Sequence, residues 1–199
     1  MKNFIKILPK KYLKIWKKCL PFLKEGRPDD QRHAEELVQY LINYASGLKL
    51  DLNILIPTAM MHDIGHAAIL PEHFKYITGE NKILNAKLVH MLAGAKIAKE
   101  ILIRTKYNKH EIKEIVEIIA AHDADQLSGV NIKKIYNTKN KKNFHDIDML
   151  DRYEPARIKN FLKFYKNKEK LIRALRESLN SFFFAEFSSI ARAKLSRLI

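Results

Sequence analysis

His62 and Asp63 stand side by side in the apolar run Ala59-Met60-Met61-His62-Asp63-Ile64-Gly65-His66. Burying an unpaired carboxylate costs on the order of several kcal/mol, or forces it to take up a proton. Imidazole and carboxylate are both metal ligands, and a divalent cation would remove the penalty for both at once. Candidate partners lie along the rest of the chain: His33 upstream, then His90, His122-Asp123 and the acidic cluster Asp146, Asp148 and Asp151. The order is H…HD…H…HD…D.

Four segments in that order resemble the HD-domain metal-dependent phosphohydrolases. Asp30-Gln31-Arg32-His33-Ala34-Glu35-Glu36-Leu37 looks like the helix that supplies the family's first histidine, and His62-Asp63-Ile64-Gly65-His66 matches its name-giving motif. His90-Met91-Leu92-Ala93-Gly94-Ala95 is similar to the H-x-x-x-G-A that opens a later helix, and Asp146-Ile147-Asp148-Met149-Leu150-Asp151-Arg152 to the closing D-A-D-x-L-D segment. The resemblance spans about Asp29 to Arg157. Any one segment alone is a weak signal; the four in sequence are a strong one. An all-α, HD-type helical bundle is implied.

The same resemblance implies that His33, His62, Asp63 and Asp148 wrap one cation. Mixed nitrogen and oxygen ligands favour manganese, iron, cobalt, nickel or zinc over magnesium or calcium. A bound cation generates hydroxide near neutral pH, and hydroxide can attack phosphorus in line. In binuclear relatives the motif aspartate bridges two ions. Here Asp63 would bridge, His90 and His122 would hold the second ion, and Asp123 would be a further ligand or a proton-transfer group. One or two ions per chain are therefore expected. Cyclic-dinucleotide phosphodiesterases of the HD-GYP class have a second histidine and a glutamate where Asp123 stands, and their G-Y-P signature is missing, which argues against that class. Bacterial dinucleoside-tetraphosphate hydrolases are a closer match around His90 and around Asp151-Arg152-Tyr153-Glu154-Pro155-Ala156-Arg157, although their usual H-T pair is His122-Asp123 here. Substrate does not transfer on a partial match.

His66, Arg152 and Arg157 are the candidate phosphate contacts. Arginine's planar fork suits bidentate phosphate binding, while a salt bridge to Glu154 or a neighbouring helix is an equal use of either arginine. His66 is also a candidate catalytic group beside Asp63 and Asp123, or an outer residue orienting a ligand.

Three function classes follow. The first is a phosphohydrolase acting on a phosphomonoester or phosphoanhydride in a nucleotide-like small molecule. The second is a di-iron oxygenase on an HD-type fold. The third is a catalytically idle nucleic-acid-binding module, which would have no use for buried imidazoles and carboxylates. A formal net charge of +15 favours anionic ligands without naming them. The lysines are spread throughout, as biased composition alone would give. The lone Cys19 excludes an intramolecular disulfide and any cysteine-based zinc motif. No apolar run approaches the length of a membrane span and no signal-peptide core is evident, so a cytoplasmic protein is the expectation, with room for a homo-oligomer.

Helical periodicity dominates along a single 199-residue domain. Residues 1–26 read as a basic amphipathic helix with Tyr12, Trp16, Cys19, Leu20 and Leu23 on its apolar stripe; docking onto the core is the common use of such a stripe. Pro21 is expected to kink or end it, and Gly26-Arg27-Pro28 breaks it. A helix from Gln31 to Ser46, stopped by Gly47, places His33, Leu37 and Leu41 on one face. The next starts near Asp51, with Pro57 as a kink or first turn, and carries His62 at its end; Gly65 permits a departure from helix there. Pro71 and Gly79 mark a loop holding His73. Helices are expected over Ala86 to Thr105, where Gly94 would let another backbone or a ligand come close, and over Glu111 to Ala121, ending on His122. A mobile lysine-rich loop from Asn137 to Asn143 precedes a helix starting near Phe144 that presents Asp148. Residues 158–199 read as accessory helices, including Leu171 to Leu179 and Phe182 to Leu198, with Phe182, Phe183, Phe184 and Phe187 as packing residues, a subunit interface or a wall of the substrate pocket.

Overall fold

The computed structural model describes residues 2–73, 85–165 and 167–197, so Gly79 and Leu198 lie outside the described residues. Among the described residues there are eleven α-helices and no β-strand. The expected all-α architecture is the one observed.

The bundle is built around α4 (Leu52–Met61), whose residues Ile54 to Met61 are all buried. A helix apolar on every side can only be central. Around it pack α2 (Leu13–Glu25), α3 (Asp30–Leu48), α6 (Lys109–Ile119) and α8 (Lys139–Leu150). The residues that follow such a helix, His62 and Asp63, are delivered inside the domain. Leu37 and Leu41 of α3, Leu55 and Ile56 of α4, Ile115 and Ile119 of α6 and Phe144 of α8 share one core. The stripe of α2 joins it through Trp16, Cys19 and Leu23, after a short α1 (Lys2–Ile7) and a turn that buries Tyr12.

Pro57 neither starts nor ends α4. The helix begins after Asp51, whose carboxylate accepts from the Asn53 amide at 3.1 Å. Pro57 cannot donate to the Asn53 carbonyl four residues back. Tyr107 Oη donates to that carbonyl instead, at 2.8 Å, and Tyr12 Oη donates to the Leu52 carbonyl, also at 2.8 Å.

After α4 the chain tightens into a 3₁₀ turn, Ile64–Ala68, lying against α5 (Ala86–Arg104). Gly65 is required here for space rather than for unusual dihedral angles, since its φ is not positive. A Cβ on Gly65 would sit 1.9 Å from the His90 carbonyl oxygen and 2.5 Å from Gly94 N. Gly94 makes the reciprocal approach to the His62 carbonyl, at 3.3 Å from its own ideal Cβ. Two glycines thus bring the His62–Asp63 turn and the His90 turn into backbone contact.

Several boundaries differ from expectation. Helix α3 continues through Gly47, which has open space around it, and stops at Lys49 in the left-handed region (φ 48°). Pro21 lies inside α2 without ending it. Asn108 caps α6, so that helix starts at Lys109, and it ends two residues before Ala121. Much of the stretch expected as a mobile lysine-rich loop is the first part of α8: Thr138 caps it, Asn140 donates to Glu114 at 2.9 Å, and Lys141 pairs with Glu117 at 3.5 Å. After α7 (Ile132–Ile135) and α8 come α9 (Pro155–Tyr165), α10 (Lys168–Ser178) and α11 (Ala185–Ser196). Phe182 to Phe184 precede α11 rather than forming its start. Their bend is held by Asp146, whose carboxylate accepts from the Phe183 and Phe184 amides at 2.9 and 2.8 Å. No helix among the described residues is long and apolar enough to cross a membrane.

Candidate metal centre

Six elements meet at one end of the bundle. Helix α3 brings His33, the end of α4 brings His62 and Asp63, and the 3₁₀ turn brings His66. The first turns of α5 bring His90, the segment after α6 brings His122 and Asp123, and α8 brings Asp148. All eight lie in four overlapping groups whose potential ligand atoms fall within 4.8 Å of one another.

Asp63 is at the middle. Its Oδ1 lies 3.4 Å from His66 Nε2, 3.5 Å from His122 Nε2 and 3.8 Å from His90 Nε2. Its Oδ2 faces His62 Nε2 at 3.4 Å and Arg27 Nη2 at 2.5 Å. On the far side, Asp148 Oδ1 lies 2.9 Å from His33 Nε2 and 3.8 Å from His62 Nε2.

The imidazole tautomers follow from the backbone. His62, His90 and His122 each direct Nδ1 at a carbonyl oxygen, that of Ala59, Ala86 and Ile119 respectively, at 3.1, 3.2 and 2.8 Å. A carbonyl only accepts, so Nδ1 carries a proton in each, and the nitrogen left to offer a lone pair is the inward Nε2. His90 Nε2 and His122 Nε2 are 3.2 Å apart, an arrangement that needs a positive species between the two lone pairs. A proton can fill that place. Burial opposes charge on His122, but Asp63 and Asp123 lift its pKa to about 9. Burial, with His122 and His66 beside it, drops His90 to about 2.

A metal cation fits the same place. The buried Nε2 of His62 has no hydrogen-bond partner, although it faces two carboxylates. Inward lone pairs, carboxylates and burial form a donor set of the kind that divalent transition metals take. The carboxylates are already held as anions. Burial alone would raise both, yet His62 and Arg27 hold Asp63 well below the usual carboxylate range, and His33 does the same for Asp148.

Asp151 stands beside His33, whose buried Nδ1 makes no hydrogen bond. Its Oδ2 lies 3.2 Å from His33 Nδ1 and accepts from Arg157 Nε at 2.6 Å. Burial works against a charged His33, but Asp148 and Asp151 together raise its pKa to about 10.

Beside this centre lies a cavity of about 390 Å³. Arg152 and Arg157 line it, although Arg157 is also engaged with Asp151. Glu154, the other partner expected for these arginines, pairs with Lys194 and Tyr40 instead. His66 is stacked on His90 with ring centroids 4.1 Å apart, as close to Asp63 as the other histidines are. Asp123 is held by Lys87 at 3.1 Å. His73 is turned away: its Nδ1 accepts from the Leu70 amide in a loop.

Three parts of the site were missed in the sequence. Arg27 looked like punctuation between Gly26 and Pro28; its spacing of three from Asp30 was the available signal. Lys87 precedes His90 by three residues and so shares its helix face. The opposite wall, Phe161, Tyr165, Leu171 and Leu175, comes from α9 and α10, and only the notion of a C-terminal pocket wall pointed there.

The HD domain family matches residues 31–156, well over half of the chain, and the chain belongs to that family. It is a family of metal-dependent phosphohydrolases. Comparison with curated proteins and with solved structures gave no match.

Proposed function

We propose that this chain is a phosphohydrolase that uses one or two divalent transition-metal ions to cleave a nucleotide-like phosphomonoester or phosphoanhydride. The observation that carries the reading is the convergence of imidazole Nε2 atoms on the two oxygens of Asp63. His33, His62, Asp63 and Asp148 would hold one ion, and Asp63, His90 and His122 a second, with His66 or Asp123 at its edge. A cation there supplies Lewis-acid charge at a phosphoryl oxygen and a water of lowered pKa.

The chain's own groups have distinct tasks. Asp151 sets a negative charge beside His33. Asp123, at the mouth and paired with Lys87, can take or return a proton. Arg152 and Arg157 place positive charge where phosphoryl oxygens would lie. The apolar wall of α9 and α10 suits a planar organic group such as a nucleobase.

Metal content of protein purified without chelator, followed by a nucleotide screen for phosphate release, tests the reading. The expected result is bound transition metal and release that stops on chelation. Turnover that persists after the metal is stripped would overturn it.

A further inference from the structure

We infer that Arg27 is a phosphate-contacting residue, presented to the centre by the Gly26-Arg27-Pro28 loop; this rests on the phosphohydrolase reading. Arg27 precedes the residues matched by the family, and it lines the cavity.

Its guanidinium is fixed from behind. Nε donates to Asp30 Oδ1 at 2.8 Å, and the Arg27 amide donates to Asp30 Oδ2 at 2.8 Å. Asp30 is itself buried, so this anchor is rigid and already balances the arginine's charge. A second carboxylate is not needed to keep Arg27 in place, yet Nη2 reaches Asp63 Oδ2.

The loop is shaped for that reach. A Cβ on Gly26 would lie 2.7 Å from Asp30 Oδ2 and 3.2 Å from His66 Cβ, so the absence of a side chain lets the loop close over His66. The Arg27 side chain is still 51% exposed, which leaves the guanidinium open to the cavity rather than sealed in a structural ion pair. Anchored at Nε, with its Nη edge beside Asp63, it offers the fork that grips two oxygens of a phosphoryl group.

The test is inorganic phosphate binding to manganese-loaded protein by titration calorimetry, with metal content measured alongside. Arg27→Ala is expected to weaken phosphate binding tenfold or more with metal stoichiometry unchanged; Arg27→Lys should recover part of the affinity, since it keeps the charge and loses the fork. Arg27→Gln serves where the alanine variant does not fold. Phosphate affinity within twofold of wild type in a folded variant overturns the inference, as does loss of metal in parallel with phosphate, or no phosphate binding by the wild type. Arg27-dependent phosphate binding without hydrolysis of any nucleotide would instead sink the phosphohydrolase reading and leave this one standing.

Discussion

The two walls of the cavity are built on opposite principles. The wall contributed by α3, α4, α5, α6 and α8 is crowded with ionisable groups that fix one another: His33 between Asp148 and Asp151, His90 against His122, Asp63 among four imidazoles. The facing wall from α9 and α10 is largely apolar, with Arg157 its one charged residue, and α9 buries no residue of its own. Phe164 on that helix is 80% exposed. A polar site pays for precision with packing on every side; an apolar surface tolerates change. Chemistry therefore belongs to the first wall and choice of ligand to the second.

The sharpest way to break this division is Asp63→Ala, with Asp63→Asn as the isosteric control. Removing the carboxylate shared by four histidines should lower kcat by at least on the order of 10³-fold and deplete bound metal, read by steady-state assay and metal analysis. Next comes Gly65→Ala. Its Cβ would fall 1.9 Å from a backbone oxygen that cannot rotate away, so the variant should lose on the order of 3 kcal/mol or more in urea unfolding.

On the facing wall, Phe161→Ala should raise KM about tenfold for the best nucleotide with kcat nearly unchanged, the pattern of lost uniform binding. A collapse of kcat as deep as that of Asp63→Ala would erase the distinction between the walls.

The last effect concerns His145, buried between Tyr136 and Phe183 and paired with Asp146 at 3.0 Å. Burial disfavours its charge, but Asp125 and Asp146 raise its pKa from 6.5 to about 9. The folded state thus holds the proton more tightly than the unfolded chain. That stability is complete below about pH 6.5 and is lost as pH rises through 9, amounting to about 1–3 kcal/mol. His145→Gln should flatten this limb of the stability profile measured by urea titration at each pH.

The residues at the centre could be read from sequence because their types are costly to bury without a purpose: His62-Asp63 announced itself in an apolar run. Helix order was legible for a similar reason, since the apolar stripes of α3 and α6 repeat at helical spacing. What escaped were decisions made by neighbours. Gly47 reads as a stop, yet an exposed glycine can be carried through when the stripe beneath it continues. Residues 139–142 read as loop because the partners of Asn140 and Lys141, Glu114 and Glu117, lie on another helix. Arg27 gained its meaning only when Asp30 and Asp63, one near in sequence and one far, were brought to the same side.

The two tyrosines that occupy the carbonyls at the start of α4 give that helix a fixed origin. From Tyr12 and Tyr107 at one end to His62 at the other, α4 works as a ruler of ten residues, about 15 Å long. An angular consequence follows. One residue inserted between Asn53 and Met61 would advance the far end by about 1.5 Å and turn it by about 100°. His62 and the adjoining Asp63 would then swing out of the centre while His33, His90, His122 and Asp148 stayed where they are, so the spacing from Tyr-bound carbonyl to the His62–Asp63 pair is as much a part of the site as the pair itself.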